Sequence, residues 1–452
     1  MRVLVVGGGG REHAIVWKLA QSPKISKLFC TPGNGGIAEL AECANIKPTD
    51  IDGVCCFAKA NSIDLVVIGP DDPLSLGLAD NCEALGIRAF GPRKAAAKLE
   101  WSKSYAKGLM KKYNIPTAGY SVHGSVQSAL DALDALEASG SSATSSPSGT
   151  SAAFPSPRGF PVVVKADGLA LGKGVTIAED RDAAESAIRS CMLDKVFGDA
   201  GSQIVLEECI TGPEMTVLAF TDGKTIKPMP CSQDHKRAYD GDRGPNTGGM
   251  GAFAPSPIYT PEVERECREK IFEPTLDMLK KEGIGYRGVL YFGLMLTAGG
   301  VKLIEYNSRF GDPETQVTLP LLKNDLIDIF DAVIDGHLDN IELKWENSFS
   351  ACVVAASGGY PGSYKTGYEI DIPQSVGPAM PNTGMRCENA TIFHAGTRRE
   401  SGRLYTSGGR VLGVTASGST LGAAVSQAYE AMARVSFEGM FYRKDIGGKY
   451  RL

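Results

Sequence analysis

Long apolar runs are missing from this sequence: nowhere does it approach the roughly 18 consecutive apolar residues of a membrane-spanning helix. Surplus charge is small as well, because 47 Lys and Arg stand against 52 Asp and Glu, a formal net charge of −5. Nucleic-acid binding needs clustered basic residues, since contacts to the phosphate backbone dominate affinity. These absences argue against a membrane protein and against a nucleic-acid binder, and they favour work on small molecules.

The 11 cysteines lack the C-x-x-C spacing of zinc and redox sites, and an odd number cannot pair completely. Most stand among apolar or strand-like residues, although Cys55 and Cys56 are adjacent. We therefore expect buried, reduced thiols, which are typical of an intracellular protein. No signal or transit segment precedes the apolar stretch Arg2–Val6, so the expected location is the cytoplasm.

The length of 452 residues predicts about three domains. In the first hundred residues, apolar strands alternate with helices. The strands are expected at Val3–Val6, Lys27–Cys30, Leu65–Ile68 and Arg88–Phe90, with a helix near Glu12–Gln21. Continuous apolar strands separated by helices are typical of a parallel sheet that is covered on both faces, which predicts a Rossmann-like domain.

Beyond residue 100 the pattern changes. Helices are expected at Trp101–Tyr113 and near Val126–Glu137, and strands at Pro161–Lys165, Val175–Ala178, Gln203–Glu208, Glu214–Phe220, Gly288–Leu296 and Val301–Tyr306. Residues 138–157 are mostly small, with three prolines and no charge, which predicts a mobile surface insertion. From about Phe349 we expect a smaller, strand-rich region with one helix near Leu421–Val435.

Four glycines, Gly7–Gly10, follow the first expected strand and precede Arg11, Glu12 and a helix. Glycine lets backbone N–H groups approach an anion, and a helix N-terminus favours negative charge. The dinucleotide fingerprint G-x-G-x-x-G fails, because Glu12 or His13 stands where its third glycine is needed, and no acidic residue ends the second strand. The run favours a substrate phosphate over NAD, with Arg11 as a partner; a tight turn with packing glycines is the alternative.

Lys165 and a glycine-rich loop at 168–174, which carries Lys173, lie between two expected strands. Fixed positive charge, open backbone donors and a flexible loop suit a triphosphate. Gly174 stands where a Walker A motif requires Ser or Thr, and a lone hairpin of this kind is more often an exposed turn. The acidic strand end at 204–208 and Glu214 then suit an adenosine, with an edge hairpin of solvated acids as the alternative.

The segment from Lys302 to Gln316 gives the sharpest signal. Glu305 and Asn307 alternate along an expected strand and so share one face. Two oxygen ligands can hold Mg²⁺ when phosphate oxygens and water complete the octahedron. Arg309 and Asp312 follow in a turn, where a guanidinium can grip a carboxylate or phosphate and a carboxylate can receive an ammonium group.

Taken in order, Lys103, Lys165, the glycine loop, the acidic hinge and E-x-N resemble the ATP-grasp superfamily. More narrowly, five motifs resemble the glycinamide ribonucleotide synthetase family, the phosphoribosylamine–glycine ligases of purine synthesis. They are G-G-R-E-H at Gly9–His13, K-A-D-G-L-A-x-G-K-G at Lys165–Gly174, S-Q-D-H-K-R at Ser232–Arg237, G-P-N-T-G-G-M-G at Gly244–Gly251 and R-F-G-D-P-E-T-Q at Arg309–Gln316. The resemblance covers nearly the whole chain.

This resemblance implies an α/β protein with an ATP-grasp fold in three parts. An N-terminal Rossmann-like domain would span 1–101, an ATP-grasp domain 102–330 with a flap at about 117–190, and a small C-terminal α+β domain 331–452. The implied activity is ligation of glycine to 5-phosphoribosylamine through glycyl phosphate, with ATP converted to ADP and with Mg²⁺ or Mn²⁺ bound. We expect a monomer or weak dimer.

The resemblance also implies roles for individual residues. ATP would be bound by Lys103, Lys165, Gly168, Gly172, Gly174, Glu207, Glu208, Ile210 and Glu214. The substrates would contact Gly9, Gly10, Arg11, Glu12, Asp234, His235, Lys236, Asn246, Thr247, Gly248 and Gly249. Arg309, Asp312 and Lys173 would act in catalysis, and Glu305 and Asn307 would bind the metal.

Several alternatives remain open at this level. For His235, a loop-orienting role is the favoured interpretation and a substrate contact the alternative. The strand Tyr291–Met295 lacks the further carboxylate that many ATP-grasp enzymes place there. Another ATP-grasp ligase or carboxylase, an NAD(P) oxidoreductase and a non-catalytic nucleotide sensor are the rival functions. A biotin-dependent version would normally carry a lysine in an A-M-K-M context, which is absent.

Overall fold

The computed structural model of the protein describes residues 1–140, 159–170, 174–373 and 390–450. The predicted insertion at 138–157 lies outside the described residues except at its start, and Gly172 and Lys173 lie outside them as well. Within the described ranges, no helix is both long and apolar enough to cross a bilayer.

Five parallel strands near the N-terminus form one sheet, in the order β3-β2-β1-β4-β5. The strands are β1 (Arg2–Gly7), β2 (Lys27–Pro32), β3 (Glu42–Cys43), β4 (Leu65–Ile68) and β5 (Arg88–Phe90), connected by α1 (Gly10–Leu19), α2 (Ile51–Ala60), α3 (Asp71–Ser75) and α4 (Leu78–Ala84). Successive residues of β1 enter two different apolar cores, Val3 on one face and Leu4 on the other. The sheet is therefore buried on both faces, which confirms the predicted Rossmann-like domain.

The helix predicted at Trp101–Tyr113 is confirmed as α6 (Lys103–Lys112), within two residues at each end. A further helix, α5 (Lys94–Trp101), was not predicted and ends just before it. Ser102 between them is extended, with φ −127° and ψ 101°, and its hydroxyl accepts a hydrogen bond from the Tyr105 N–H at 3.3 Å. Serine favours such an N-cap because its side chain satisfies a free backbone N–H. The break places Lys103 in the first turn of α6.

A four-stranded antiparallel sheet, here called the flap sheet, follows in the order β6-β9-β7-β8. It consists of β6 (Tyr120–His123), β7 (Val162–Ala166), β8 (Val175–Ala178) and β9 (Ile204–Glu208), with helices α7 (Val126–Gly140) and α8 (Arg181–Met192). Both helices pack on one face of the flap sheet, around Leu133 and Ile188. The other face is left to line a cavity.

A second antiparallel sheet, here called the base sheet, has the order β11-β10-β16-β17. It consists of β10 (Glu214–Thr221), β11 (Ile226–Pro228), β16 (Gly288–Thr297) and β17 (Gly300–Asn307), packed against α5, α6, α9 (Pro261–Cys267) and α10 (Glu273–Lys281). The register between β16 and β17 shifts, because Gly293 pairs with Glu305 while Leu294 pairs with Leu303. Ile304 is thus the extra residue of a β-bulge.

The C-terminal sheet has a path β12-β15-β18-β22-β19, with β23 paired to β18. Its strands are β12 (Gln233–Asp234), β15 (Gly251–Ala254), β18 (Phe349–Ser357), β19 (Ala390–His394), β22 (Arg410–Gly418) and β23 (Met440–Phe441). The remaining elements are the hairpins β13 (Arg237–Tyr239)–β14 (Arg243–Asn246) and β20 (Thr397–Glu400)–β21 (Arg403–Thr406), and the helices α11 (Glu314–Thr318), α12 (Leu326–Asp335) and α13 (Leu421–Met432). The predicted strand-rich region with one late helix is confirmed.

The cysteines that the structure describes are all free. Most are buried, as expected, but Cys43 and Cys56 are exposed, so the expectation is wrong for these two. Cys43 lies on the two-residue edge strand β3, and Cys56 follows the buried Cys55 on the outward face of α2. Neighbouring helix residues point in different directions, so adjacency in sequence did not imply shared burial.

Candidate active site

A cavity of about 570 Å³, here called the central cavity, lies between the flap sheet and the base sheet. Most of the residues predicted to bind ATP, substrate or metal, or to act in catalysis, line it. They are Lys103, Lys165, Gly174, Glu207, Glu208, Ile210, Glu214, Asp234, His235, Lys236, Asn246, Thr247, Gly248, Glu305, Asn307, Arg309 and Asp312. The fold therefore brings together side chains that are up to about two hundred residues apart in the sequence.

Three charged side chains form a buried group at the inner end of the flap sheet. The Glu207 carboxylate lies 3.0 Å from the Lys165 ammonium and 2.9 Å from that of Lys107, and all three side chains are at most 5% exposed. Burial opposes ionisation of Glu207, but Lys165 and Lys107 outweigh it and lower the pKa of the carboxyl. Burial lowers the pKa of Lys107 to about 8, against the attraction of Glu207.

The root of the glycine loop is fixed to the start of α6. Asp167 accepts hydrogen bonds from the Ser104 N–H at 2.5 Å and from the Ser104 hydroxyl at 2.8 Å. Lys103 donates to the Gly168 carbonyl at 3.3 Å, and the Gly168 N–H donates to Ala200 at 3.1 Å. A Cβ on Gly168 would lie 2.6 Å from the Cβ of Ala200, so glycine is needed here for close packing. Gly168 itself is not among the cavity-lining residues.

At the other end of the cavity, acids and one lysine lie close together. The Lys236 ammonium pairs with Glu214 at 2.7 Å. Burial would lower the pKa of Lys236, but Glu214 and Asp234 outweigh it and raise the pKa well above its ordinary value. Burial raises the pKa of Asp234 to about 7. This wall therefore carries a permanent cation beside a carboxyl that titrates near neutrality.

His235 lies between the cavity and the C-terminal segment. Burial and the nearby Arg443 guanidinium lower the pKa of His235 to about 4, so the ring is neutral at physiological pH. Its Nε2 lies 3.4 Å from the Gly447 N–H, and its buried Nδ1 has no hydrogen-bond partner among the described residues. The contact to Gly447 supports the loop-orienting interpretation, and the free Nδ1 keeps the substrate contact open.

The predicted metal ligands, Glu305 and Asn307, both line the central cavity. Burial raises the pKa of the Glu305 carboxyl, but Lys236 and Lys165 lead the nearby cations that outweigh it and hold the pKa below its ordinary value. No hydrogen bond or ion pair to this carboxylate occurs within the described part of the chain. An ionised oxygen group free of protein partners and a neighbouring amide oxygen form a donor set that fits Mg²⁺ or Mn²⁺. No cluster of three or more His, Cys, Asp or Glu suited to a metal occurs among the described residues.

Arg309 is held by an acid that the sequence did not single out. Its Nη2 pairs with Glu100 at 3.0 Å, and the second Glu100 oxygen accepts from the Ser308 N–H at 2.7 Å. Burial raises the pKa of Glu100 to about 7, although Arg309 pulls it down. The Arg309 Nε is buried without a partner in the described ranges, so this guanidinium keeps a donor for a ligand.

A second cavity of about 350 Å³, here called the outer cavity, lies between the two ends of the chain. Its lining residues are Gly8, Gly9, Gly33, Asn34, Asp312, Ala395, Gly396, Thr397, Ser407 and Arg410. Asp312 lines both cavities. The Arg410 Nη1 lies 3.3 Å from the Asp312 carboxylate and donates to the Gly248 carbonyl at 2.8 Å. The shared Asp312 joins the two cavities at one carboxylate.

Some predicted substrate residues line neither cavity. These are Gly10, Arg11, Glu12 and Gly249. Arg11 pairs with Glu12 at 3.0 Å and donates to the Phe310 carbonyl at 2.9 Å, while Glu12 accepts from the Gly9 N–H at 2.6 Å. These bonds brace the glycine run against the Arg309–Gln316 segment. Their predicted contact with substrate stays a prediction.

Sequence reasoning missed Lys107, Glu100 and Arg410. Lys107 stands four residues after Lys103 on α6, and this helical spacing was the signal that could have found it. Glu100 reaches the site from α5, where no motif surrounds it, and Arg410 from β22, where the stretch G-G-R-V-L at 408–412 resembles the family but indicated no role for the arginine. Only the tertiary fold places them beside Arg309 and Asp312.

Comparison with known families agrees with this geometry. Models of the phosphoribosylglycinamide synthetase N domain, ATP-grasp (A) domain and C domain match residues 1–100, 101–315 and 350–449. The phosphoribosylamine–glycine ligase of Caldanaerobacter subterraneus subsp. tengcongensis is 45% identical over 450 residues, covering 100% of both chains. That of Clostridium acetobutylicum is 42% identical over 447 residues, covering 99% of each.

Solved structures give the same result. The phosphoribosylamine–glycine ligase from Thermotoga maritima superposes with a TM-score of 0.79 at 33% identity, covering 99% of this chain and 100% of that one. The biotin carboxylase domain of the Hydrogenobacter thermophilus 2-oxoglutarate carboxylase has a TM-score of 0.70 at 17% identity, covering 98% and 91% of the two chains, and shares the fold alone. The predicted α/β ATP-grasp fold is thus confirmed, and the chain belongs to the phosphoribosylamine–glycine ligase family.

Proposed function

We propose that this protein ligates glycine to 5-phosphoribosylamine, forming glycinamide ribonucleotide while ATP becomes ADP and phosphate. The observation that carries the proposal is the pair of adjoining cavities that share Asp312. One is lined by the cations and acids that a nucleotide and an amino acid require, and the other by glycines together with polar side chains and the Arg410 guanidinium. Membership of the family supports the same reaction.

In the central cavity, the nucleotide lies between the flap sheet and the base sheet. Lys103 and Lys165 meet its phosphates. We assign Gly168, Gly172 and Gly174 to ATP binding and Lys173 to catalysis. Glu207, Glu208 and the Ile210 backbone line the adenine side, and Glu214 takes the ribose. Catalysis by such a site rests on positioning and charge neutralisation rather than on a protein nucleophile.

Glu305 and Asn307 would hold the divalent metal, and we propose Mg²⁺ or Mn²⁺. The free, ionised Glu305 carboxylate supports this assignment. A metal at this site would neutralise phosphate oxygens of the nucleotide. Lys236 and Lys165, which keep Glu305 ionised, prepare the site for a cation by holding its ligand deprotonated.

The chemistry proceeds in two displacements. A glycine carboxylate oxygen attacks the γ-phosphorus of ATP and ADP departs, which gives glycyl phosphate. The amine of phosphoribosylamine then attacks the glycyl carbonyl, phosphate departs and the amine loses a proton. Arg309 binds the glycine carboxylate or the transferred phosphoryl group, and Asp312 receives the glycine ammonium. The enclosing sheets exclude water, which would hydrolyse the acyl phosphate.

Phosphoribosylamine occupies the outer cavity, with its amine directed towards Asp312. The backbone of Gly8 and Gly9 at the start of α1 suits its 5-phosphate, and Arg410 adds a guanidinium on the opposite wall. Asp234, His235, Lys236 and the 246–249 turn complete the pocket where the two substrates meet. We further propose that the protein works in the cytoplasm as a monomer or weak dimer.

The test is ADP release from ATP and Mg²⁺, with phosphoribosylamine generated in situ and glycine either present or omitted. The proposal requires release that depends on both substrates and a product with the mass of glycinamide ribonucleotide. Release that depends on neither substrate would assign another acid and amine to the same scaffold. Tight ATP binding without release would point to a nucleotide sensor.

A further inference from the structure

Lys107 makes no contact that the proposed reaction requires, yet it is almost completely buried beside the nucleotide site. Its side chain is 3% exposed and its ammonium lies 2.9 Å from Glu207 Oε2. Lys165 lies 3.0 Å from the other oxygen, Oε1. One buried carboxylate therefore has two cations, although one would suffice to neutralise it.

Against the effect of burial, both lysines lower the pKa of the Glu207 carboxyl by charge and by hydrogen bonding. They contact different oxygens, and Lys165 lies beside the buried Oε1. Since Oε1 also belongs to a residue that lines the central cavity, it keeps an acceptor for a ligand N–H.

Lys107, by contrast, is anchored on a second side. Its ammonium donates to the Thr117 hydroxyl at 2.7 Å, and that hydroxyl donates to the Leu303 carbonyl at 2.6 Å. Leu303 lies on β17, two residues before Glu305. Lys107 is thus fixed by α6, by the flap sheet and by the base sheet, whereas the Lys165 ammonium makes no second bond to a described residue besides its contact with Glu207.

We propose that Lys107 is a positioning residue: it is the permanent counterion of Glu207 and thereby releases Lys165 to bind the nucleotide phosphates. A buried carboxylate without a cation is strongly unfavourable, so Lys165 alone could not leave Glu207. With Lys107 in place, the group of Lys107, Lys165 and Glu207 carries one net positive charge. Because Lys107 neutralises Glu207, the Lys165 ammonium can bind an anion. The depressed pKa of Lys107 is the cost of keeping this second cation buried.

The inference rests on the proposed nucleotide site, and a double-mutant cycle on the full-length chain tests it. ATP binding is measured by calorimetry for the wild type, K107M, E207Q and K107M/E207Q. We expect K107M to weaken ATP binding by at least about 10-fold, because Lys165 then stays on Glu207. The double variant should bind ATP within about 3-fold of E207Q alone, since a neutral amide needs no counterion.

Lys112→Met is the matched control, because Lys112 lies on the same helix but is 62% exposed and pairs with Glu282 outside the cavity. The K107R variant, which keeps the charge, should retain most of the wild-type ATP affinity. In K107M, the KM for glycine should change much less than the KM for ATP. Additive effects of K107M and E207Q would overturn the inference, as would an ATP affinity of K107M equal to that of K112M. If K107M does not fold, K107Q, which also removes the charge but keeps a polar group beside Thr117, takes its place in the cycle, alone and with E207Q. A wild type that binds no ATP would instead contradict the proposed function.

Discussion

The two cavities are built in different ways. The central cavity is lined mainly by charged side chains on strands of the flap and base sheets, and the motifs that carry them are readable in the sequence. Glycines are four of the ten residues that line the outer cavity, and all of the ten except Asp312 come from the first 34 residues or from residues 395–410. A site made of charged side chains can be changed by one substitution, whereas a site formed where two ends of the chain meet depends on how those ends are held together.

Hydrogen bonds between the chain ends hold the outer cavity. Asn34 donates to the Gly8 carbonyl at 2.9 Å and to the His394 carbonyl at 2.8 Å. The His394 N–H donates to His13 Nδ1 at 2.7 Å. Burial lowers the pKa of His13 well below its ordinary value, so this nitrogen stays an acceptor at neutral pH. The contrast predicts that substitutions in the central cavity affect ATP, metal and glycine, whereas those in the outer cavity affect the binding of phosphoribosylamine.

Glu305→Ala should produce the largest effect. Removal of a metal ligand from the central cavity should lower ligation by at least about 10³-fold, since a bound metal contributes several kcal/mol of charge stabilisation. The melting temperature should change little, because Glu305 bonds to no described side chain. ADP release over a range of Mg²⁺ concentrations checks this, and full activity at limiting Mg²⁺ would refute the metal assignment.

Arg309→Lys should be next in size. In the wild type, the planar guanidinium pairs with Glu100 through Nη2 and keeps Nε available for a ligand. Lysine keeps the charge but cannot make both contacts, so kcat/KM for glycine should fall by about 10²-fold. Steady-state kinetics with varied glycine provide the measurement, and Arg268→Lys, an exposed arginine on the base-sheet helices, is the control. Near-normal glycine affinity would contradict the assigned role.

Asn34→Ala should separate the two cavities. Loss of its bonds to Gly8 and His394 loosens the outer cavity, so the KM for phosphoribosylamine should rise by about 10-fold. ATP affinity should stay within about 2-fold of wild type, because Asn34 lies outside the central cavity. Asn81→Ala, which removes one bond to Gly77 in the same domain, is the control. An equal loss of ATP affinity would show that the cavities are not independent.

The smallest expected effect is a pH dependence. The raised pKa of Glu100, about 7, means that its carboxylate protonates and releases Arg309 as pH falls through 7, so kcat/KM should decline there by less than about 10-fold. The pKa of Asp234 is also raised to about 7, so the Glu100→Gln variant is needed to show which of the two carboxyls causes the decline in kcat/KM.

Glu100 should also make stability depend on pH. Between pH 4.5 and about 7 the folded protein retains a proton that the unfolded chain releases, so Glu100 destabilises the fold progressively as pH rises. The melting temperature of the wild type, measured relative to that of Glu100→Gln, should fall as pH rises from 4.5 to about 7. Melting temperatures of the two proteins that change in parallel over this range would contradict the prediction.

How much the sequence could predict differs between the same two regions. The strands that carry Lys165, Glu207 and Glu305 were predicted within about two residues, because apolar periodicity and polar ends are local signals. Helix α5 was missed, and α6 was predicted to begin at Trp101 rather than Lys103, since one serine in a Lys-rich stretch does not by itself mark a helix start. Arg410 was missed because its role arises only where β22 meets the Arg309–Gln316 segment. The individual site roles stay predictions.

The bulge at Ile304 divides β17 into two halves with different duties. Val301 and Leu303 face the apolar core, and strict alternation would turn Glu305 and Asn307 the same way. The extra residue reverses the alternation, so Tyr306 enters the core and the two oxygen ligands face the cavity. Before the bulge, Val301 and Leu303 serve packing, and conservative apolar exchanges should be tolerated there. After it, Glu305 and Asn307 are needed for their oxygen atoms, and apolar exchanges should not be tolerated. If Ile304 were instead paired as a regular strand residue, strict alternation would send the Glu305 carboxylate into the core and Tyr306 out of it, damaging stability and activity in one step.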